Sequence, residues 1–179
     1  MPTRRGALIL TCGLGLAACG TDPTSPYFFG IGDPIRGAGL SAPRNFGDTS
    51  RWAGQPASAA FAVEQLEFLT SSLATDPRFA PVVNPAVLQT LQRARTEMRA
   101  YLGIAPNADP QLVITAMRQV GAALRGGSQA QAEAALSGAA FPAGPRSVLA
   151  RLAEMPRLPR TAEAAGMVAS EMDRLERRN

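Results

Sequence analysis

Apolar residues fall into three regimes along the chain. Gly6 to Ala18 is a short, almost wholly apolar run, whereas residues 20–56 show no helical period and no sustained alternation. From Pro56 onward, apolar residues recur at three- and four-residue spacings, which marks amphipathic helices.

In that last regime the spacing predicts a first helix from Pro56 to Ala74. Ala62, Leu66, Leu69 and Leu73 form its inward stripe, and Phe61 and Phe68 widen it. Asp76-Pro77, Pro81 and Pro85 then interrupt the chain. A second helix starts with Asn84 as cap and Pro85 in the first helical position, and ends at Gly103. Its stripe is Val87, Leu91, Ala94, Met98 and Tyr101 or Leu102. A third repeats this start at Asp109-Pro110 and stops at Gly126-Gly127, with Leu112, Val113, Ala116, Met117, Val120, Ala123 and Leu124 inward. Ser128 with Gln131 opens a short fourth. Pro145 to Met155 forms a fifth around Val148, Leu149 and Leu152. The last runs from Thr161 to Arg177, with Ala165, Val168, Met172 and Leu175 inward and Asp173 and Arg177 on its solvent side.

No convincing strand pair emerges, so the expected fold is all-α: a compact bundle of about five or six short helices. The expected organisation is residues 1–18 as a removable leader, 19–56 as a tether, and 57–179 as the helical domain. The zone 20–56 is rich in glycine and proline, and a flexible chain of that length would reach about 30–37 Å. Tyr27-Phe28-Phe29, Phe46 and Trp52 stand out in it, because a pure spacer needs no aromatics. Docking on the helical domain is their expected fate, with burial in a headgroup layer or a partner site as alternatives.

Charge changes the picture less than the isoelectric point suggests. All 18 basic residues are arginine, and the chain contains neither lysine nor histidine. With abundant alanine, glycine and proline, this reads as the codon usage of a GC-rich genome. Without Arg4 and Arg5 the excess of arginine over acid falls to two, and the remaining arginines are interleaved with Glu and Asp. That is no nucleic-acid footprint, so no nucleic-acid partner is expected.

The first twenty residues carry the most specific signal. Arg4 and Arg5 precede the apolar run, which is too short to span a bilayer at 1.5 Å per residue and ends in small residues. Leu16-Ala17-Ala18-Cys19 resembles the lipobox of bacterial lipoproteins: an aliphatic residue, two small ones and a cysteine. The resemblance covers only this segment, and residues 20–179 resemble no family. It implies cleavage between Ala18 and Cys19 and a lipid thioether on Cys19, often with acylation of the freed amine. Cys12 does not fit, because Thr11 is poor at a cleavage position. Several acyl chains, at about 0.8 kcal/mol per buried methylene, anchor stably. Thr3-Arg4-Arg5-Gly6-Ala7-Leu8 partly resembles a twin-arginine export signal, with Ala7 where Phe is usual, so that route and general secretion both stay open. Gly20 follows the cysteine, where Asp would mark inner-membrane retention in enteric bacteria. The resemblance therefore implies the periplasmic face of the outer membrane.

Candidate catalysis is thin. Without histidine or lysine there is no imidazole base, Ser-His pair, Ser-Lys dyad or Schiff base. With Cys19 lipidated, thiol chemistry and zinc ligation go as well. Gly30-Ile31-Gly32 and Gly37-Ala38-Gly39 lack the strand and helix of a phosphate loop, and no Asp-x-Asp-x-Asp metal loop occurs. Glu64 and Glu67, one turn apart, are the one carboxylate pair that could serve a peptidoglycan-cleaving enzyme. Their expected place is the solvent face of the first helix, and no glutamate is followed by serine as the catalytic one is in lytic transglycosylases. No catalytic residue, metal ligand or cofactor site is therefore expected. The leading expectation is a non-enzymatic envelope lipoprotein, a helical scaffold or interaction module with a protein partner and with membrane lipid bound through acylated Cys19. The alternative is a carrier of a lipid or small apolar ligand, its groove lined by Met98, Met117, Met155, Met167 and Met172. An enzyme is a distant third.

Overall fold

The computed structural model describes residues 32–177. Its elements are α1 (Pro34–Phe46), a 3-10 helix (Thr49–Trp52), α2 (Pro56–Thr75), α3 (Pro85–Leu102), α4 (Pro110–Arg125), α5 (Gln129–Ala135), α6 (Pro145–Ala153) and α7 (Pro159–Glu176). There is no strand among the described residues, so the fold is all-α.

The start and stop signals work as their chemistry requires. Every α-helix except α5 begins on proline, whose fixed φ suits the first turn and whose missing N–H costs nothing there. Asn84, Asp109 and Ser128 each accept a hydrogen bond from a backbone N–H in the first turn of the helix they precede. Gly103 ends α3 at φ +73°, and a Cβ there would also lie 2.5 Å from the Cβ of Ala143.

Helix α2 is the axis of the bundle. It packs on α1, α3, α4, α6 and the 3-10 helix, while α7 closes against α1 and α3, and α5 bridges α4 and α6. An axial helix has no solvent face, so α2 buries polar as well as apolar positions. Its Leu66, Leu69 and Leu73 meet Leu91, Met98, Leu102, Met117, Val120 and Leu152 in one continuous core. Most of the inward stripes expected from the spacing are buried in that core.

Two expectations need correction. The tether expected over 19–56 does not extend that far: α1 and the 3-10 helix lie within it and belong to the helical body, whose first described helix starts at Pro34. Asp33 caps α1, and Ile35, Ala38, Ala42 and Phe46 enter the core. Gly39 is part of the reason, because an added Cβ would sit 2.4 Å from Cγ of Met172, so its absence lets α1 approach α7 closely. Of the aromatics in that zone, Phe46 is fully buried and Trp52 half-buried against the core, while Tyr27-Phe28-Phe29 lie outside the described residues. The second correction is Leu112, expected inward but 49% exposed on the outer side of α4. Three of its apolar neighbours, Val113, Ala116 and Met117, already fill that interface.

Candidate functional site

The three adjacent regions of polarity on α2 define the most unusual site in the body. Glu64, Gln65 and Glu67 are each at most 2% exposed, and each faces a different neighbouring helix. Gln65 turns toward α1, donating from Nε2 to the carbonyl of Ala38 at 2.5 Å and to Oγ of Ser41 at 3.0 Å. Its Oε1 accepts from Asn45 Nδ2 at 2.6 Å. Glu64 turns toward α4 and pairs with Nε of Arg118. Glu67 turns toward α3 and holds Arg99 through two bonds, Nε to Oε1 at 2.6 Å and Nη2 to Oε2 at 2.8 Å. Successive residues on a helix point 100° apart, so one short polar stretch serves three partners.

Arg99 extends this arrangement into a loop. It is 4% exposed, and its Nη1 donates to the carbonyls of Pro106 and Ala108 at 2.9 Å each and to that of Ala105 at 3.4 Å. Each nitrogen of the buried guanidinium therefore binds either Glu67 or the α3–α4 connection. Arg95 lies farther off, 3.9 Å from Oε2 of Glu67, and its pKa is lowered, first by desolvation, which the charge of Glu67 only partly offsets and that of Arg99 reinforces. No buried side-chain nitrogen or oxygen among the described residues lacks a hydrogen-bond partner.

The expected solvent-face position of Glu64 and Glu67 is thus wrong. The side of α2 on which they lie, expected to face water, is covered by α3 and α4. Both oxygens of Glu67 are committed to a guanidinium, and neither carboxylate opens onto a cleft that could admit a sugar chain. What the arrangement does chemically is hold three helices and a loop in register.

Two other carboxylates do comparable work at helix ends. Helix α7 has no side-chain cap of its own, and Glu97 of α3 supplies one: its oxygens accept from the N–H groups of Arg160 at 3.3 Å and Thr161 at 2.8 Å. A negative charge there also meets the positive end of the helix dipole. Glu171 accepts from the N–H of Asn84 at 2.7 Å and from Arg174, whose Nη2 also reaches the carbonyl of Val82.

Two shallow, open clefts mark the surface. One lies between α4 and α5, lined by Gln119, Ala122, Ala123, Gln131, Ala134 and Ala135. The other runs between the start of α3 and α7, past Val87, Gly166, Met167 and Arg174. Met98, Met117, Met155 and Met172 are at most 1% exposed and fill the core, with Met167 partly buried against it. Among the described residues no His, Cys, Asp or Glu group could hold a metal ion, and no helix is long and apolar enough to cross a membrane. Leu16, Ala17, Ala18 and Cys19 lie outside the described residues.

The signal that could have located Arg99 and Arg118 was weak. Arg99 stands eight residues after Leu91 and three before Leu102, at the edge of the stripe and unlike exposed Arg93, but an arginine at such an edge equally fits a solvated flank, and Arg118 has no such spacing. No family model, curated protein or solved structure matches this chain. The fold defines the class at the level of an all-α bundle organised around one axial helix.

Proposed function

We propose that the chain is a lipid-anchored module of the bacterial cell envelope whose helical body works through protein contacts rather than catalysis. The observation that carries the reading is Leu16-Ala17-Ala18-Cys19 closing a short apolar run behind Arg4 and Arg5. The anchor would place the body at the periplasmic face of the outer membrane, with Cys19 as the acylated residue. The commitment of Glu64, Glu67, Glu97 and Glu171 to structural partners supports a scaffold rather than a peptidoglycan-cleaving enzyme. A carrier of an apolar ligand draws less support, since the methionines suited to such a lining are largely spent on the core.

The test is direct. The wild-type chain should incorporate radioactive palmitate and sediment with membranes, and Cys19→Ser should do neither. A Cys19→Ser chain that stays fully membrane-bound would overturn the anchor. Purification of the lipidated protein from membranes should recover a protein partner; recovery of an extracted lipid and no protein would favour the carrier instead.

A further inference from the structure

The arginines of the body are distributed unevenly with respect to their partners. At the end where the described chain begins, Arg36 pairs with Glu176, Arg78 with Asp33 and Asp76, and Arg174 with Glu171. At the opposite end, around the 3-10 helix, Arg44, Arg51 and Arg157 are exposed, and none makes an ion pair with a described residue. Hydrogen bonds tie together the chain segments that carry them. Nη1 of Arg51 donates to the carbonyl of Arg44 at 2.9 Å. Thr49 is bonded on both sides of Arg157, donating to the carbonyl of Pro156 at 2.5 Å and accepting from the N–H of Leu158 at 3.2 Å. The acids at this end are few: Asp48 is bonded to the N–H and hydroxyl of Ser50 and also feels the charges of Arg157 and Arg51 without an ion-pair contact to either, Glu154 ends α6, and Glu97 caps α7.

Trp52 sits against Arg51. It is half-buried, its indole N–H donates to the carbonyl of Asn45 at 2.6 Å, and the guanidinium of Arg51 lies 4.8 Å from its ring centroid. Exposed guanidinium groups that form no ion pair with a described residue, one of them stacked on a half-exposed indole, suit the interface between water and lipid, where aromatic rings lie at headgroup depth and guanidinium groups meet phosphate.

We propose that this end of the bundle, through Arg44, Arg51, Arg157 and Trp52, docks on the anionic phospholipid headgroups of a membrane surface. The proposal rests on the lipid-anchor reading only for the membrane's proximity. Geometry permits it: the stretch from Cys19 to Asp33 can extend to at most about 50 Å, against about 20 Å for the length of α1 that separates the two ends. The lipid-anchored body would then stand with its 3-10 helix on the bilayer and leave its α3–α7 cleft and α5 free for a partner.

Trp52 is the only tryptophan in the chain, so its fluorescence reports on this surface alone. The experiment uses residues 20–179, which lack Cys19, so the result does not depend on acylation and palmitate labelling does not depend on it. The chain is mixed with vesicles of phosphatidylcholine or of an equimolar phosphatidylcholine–phosphatidylglycerol mixture. Binding should appear only with the anionic vesicles, with a blue shift of Trp52 emission and quenching by brominated lipid. Each cation at an anionic surface is worth about fivefold in affinity, so the triple variant Arg44→Gln, Arg51→Gln, Arg157→Gln should bind about a hundredfold more weakly. The charge-matched control Arg93→Gln, Arg146→Gln, Arg177→Gln, altered at exposed positions elsewhere, should lose far less. Circular dichroism melts confirm that both variants fold. Absence of binding to anionic vesicles, equal loss in the two variants, or binding with unchanged Trp52 emission would each overturn the proposal, as would capture of an acidic protein by a chain that ignores the vesicles.

Discussion

Replacing Arg99 by Met tests the organisation of the bundle most directly. Arg99 and Glu67 are buried at 4% and 2% exposure, joined by two charge-assisted bonds. Removing one member of such a pair leaves an uncompensated buried charge, which costs about 3–5 kcal/mol. Arg99→Met should fall in the upper part of that range, because the carbonyls of Ala105, Pro106 and Ala108 lose their donor as well. Glu67→Met should fall in the lower part of that range, about 3 kcal/mol, since the buried Arg99 loses its counter-charge but keeps those carbonyls. In the double variant both charges are gone and two methionines fill comparable space. Its loss should fall short of the summed single losses by about 2 kcal/mol or more. Urea denaturation followed by circular dichroism measures all three against the wild type, with m-values checked for constancy. Limited proteolysis should find the 103–109 loop cut faster in Arg99→Met. An Arg99→Met loss below about 1 kcal/mol, or strictly additive single losses, would refute the assignment of the pair as a joint between α2, α3 and the loop.

Two helical glycines should respond oppositely to alanine. Gly39→Ala places a Cβ 2.4 Å from Cγ of buried Met172 and should destabilise by about 1–2 kcal/mol despite better helix propensity, whereas Gly166→Ala meets open space and should stabilise by up to about 1 kcal/mol in the same melts. Glu97→Ala removes the cap that α3 lends to α7 and should cost about 1–2 kcal/mol, with faster amide exchange at Arg160 and Thr161 as the local readout. The pKa of Asp76 lies below the ordinary 3.8, first because the Arg78 side chain donates to it and then because the Arg78 N–H does. A lowered folded-state pKa contributes stability that is present above the unfolded value and is lost as pH falls through the folded one. Carboxyl NMR titration should therefore show a midpoint under 3.8 that rises toward the ordinary value in Arg78→Gln; a midpoint unchanged by the substitution would contradict the pairing.

The local grammar of the chain determined most of the helices before any packing was known. Proline at the first helical position, Asn84, Asp109 and Ser128 as caps, and Gly103 as a stop act within a few residues, so sequence alone carries them. The apolar stripes are equally local, and they enter the core nearly as spaced. The lipobox resemblance is also a matter of consecutive residues, independent of the fold.

Tertiary structure decided what depends on neighbours. Ile35, Ala38, Ala42 and Phe46 do stand at helical spacing, but Gly37, Gly39 and Pro43 among them make the segment read as a linker. Its helix persists because Asp33 caps it and because Gly39 lets it lie against α7, contacts invisible in the segment itself. The carboxylates of α2 are the sharper case. A glutamate beside an apolar stripe looks the same whether water or a second helix covers it, since periodicity records the width of one face and not the number of helices around it. Only the enclosure of α2 by α1, α3 and α4 placed Glu64 and Glu67 in the interior, where each needed an arginine from a distant part of the chain.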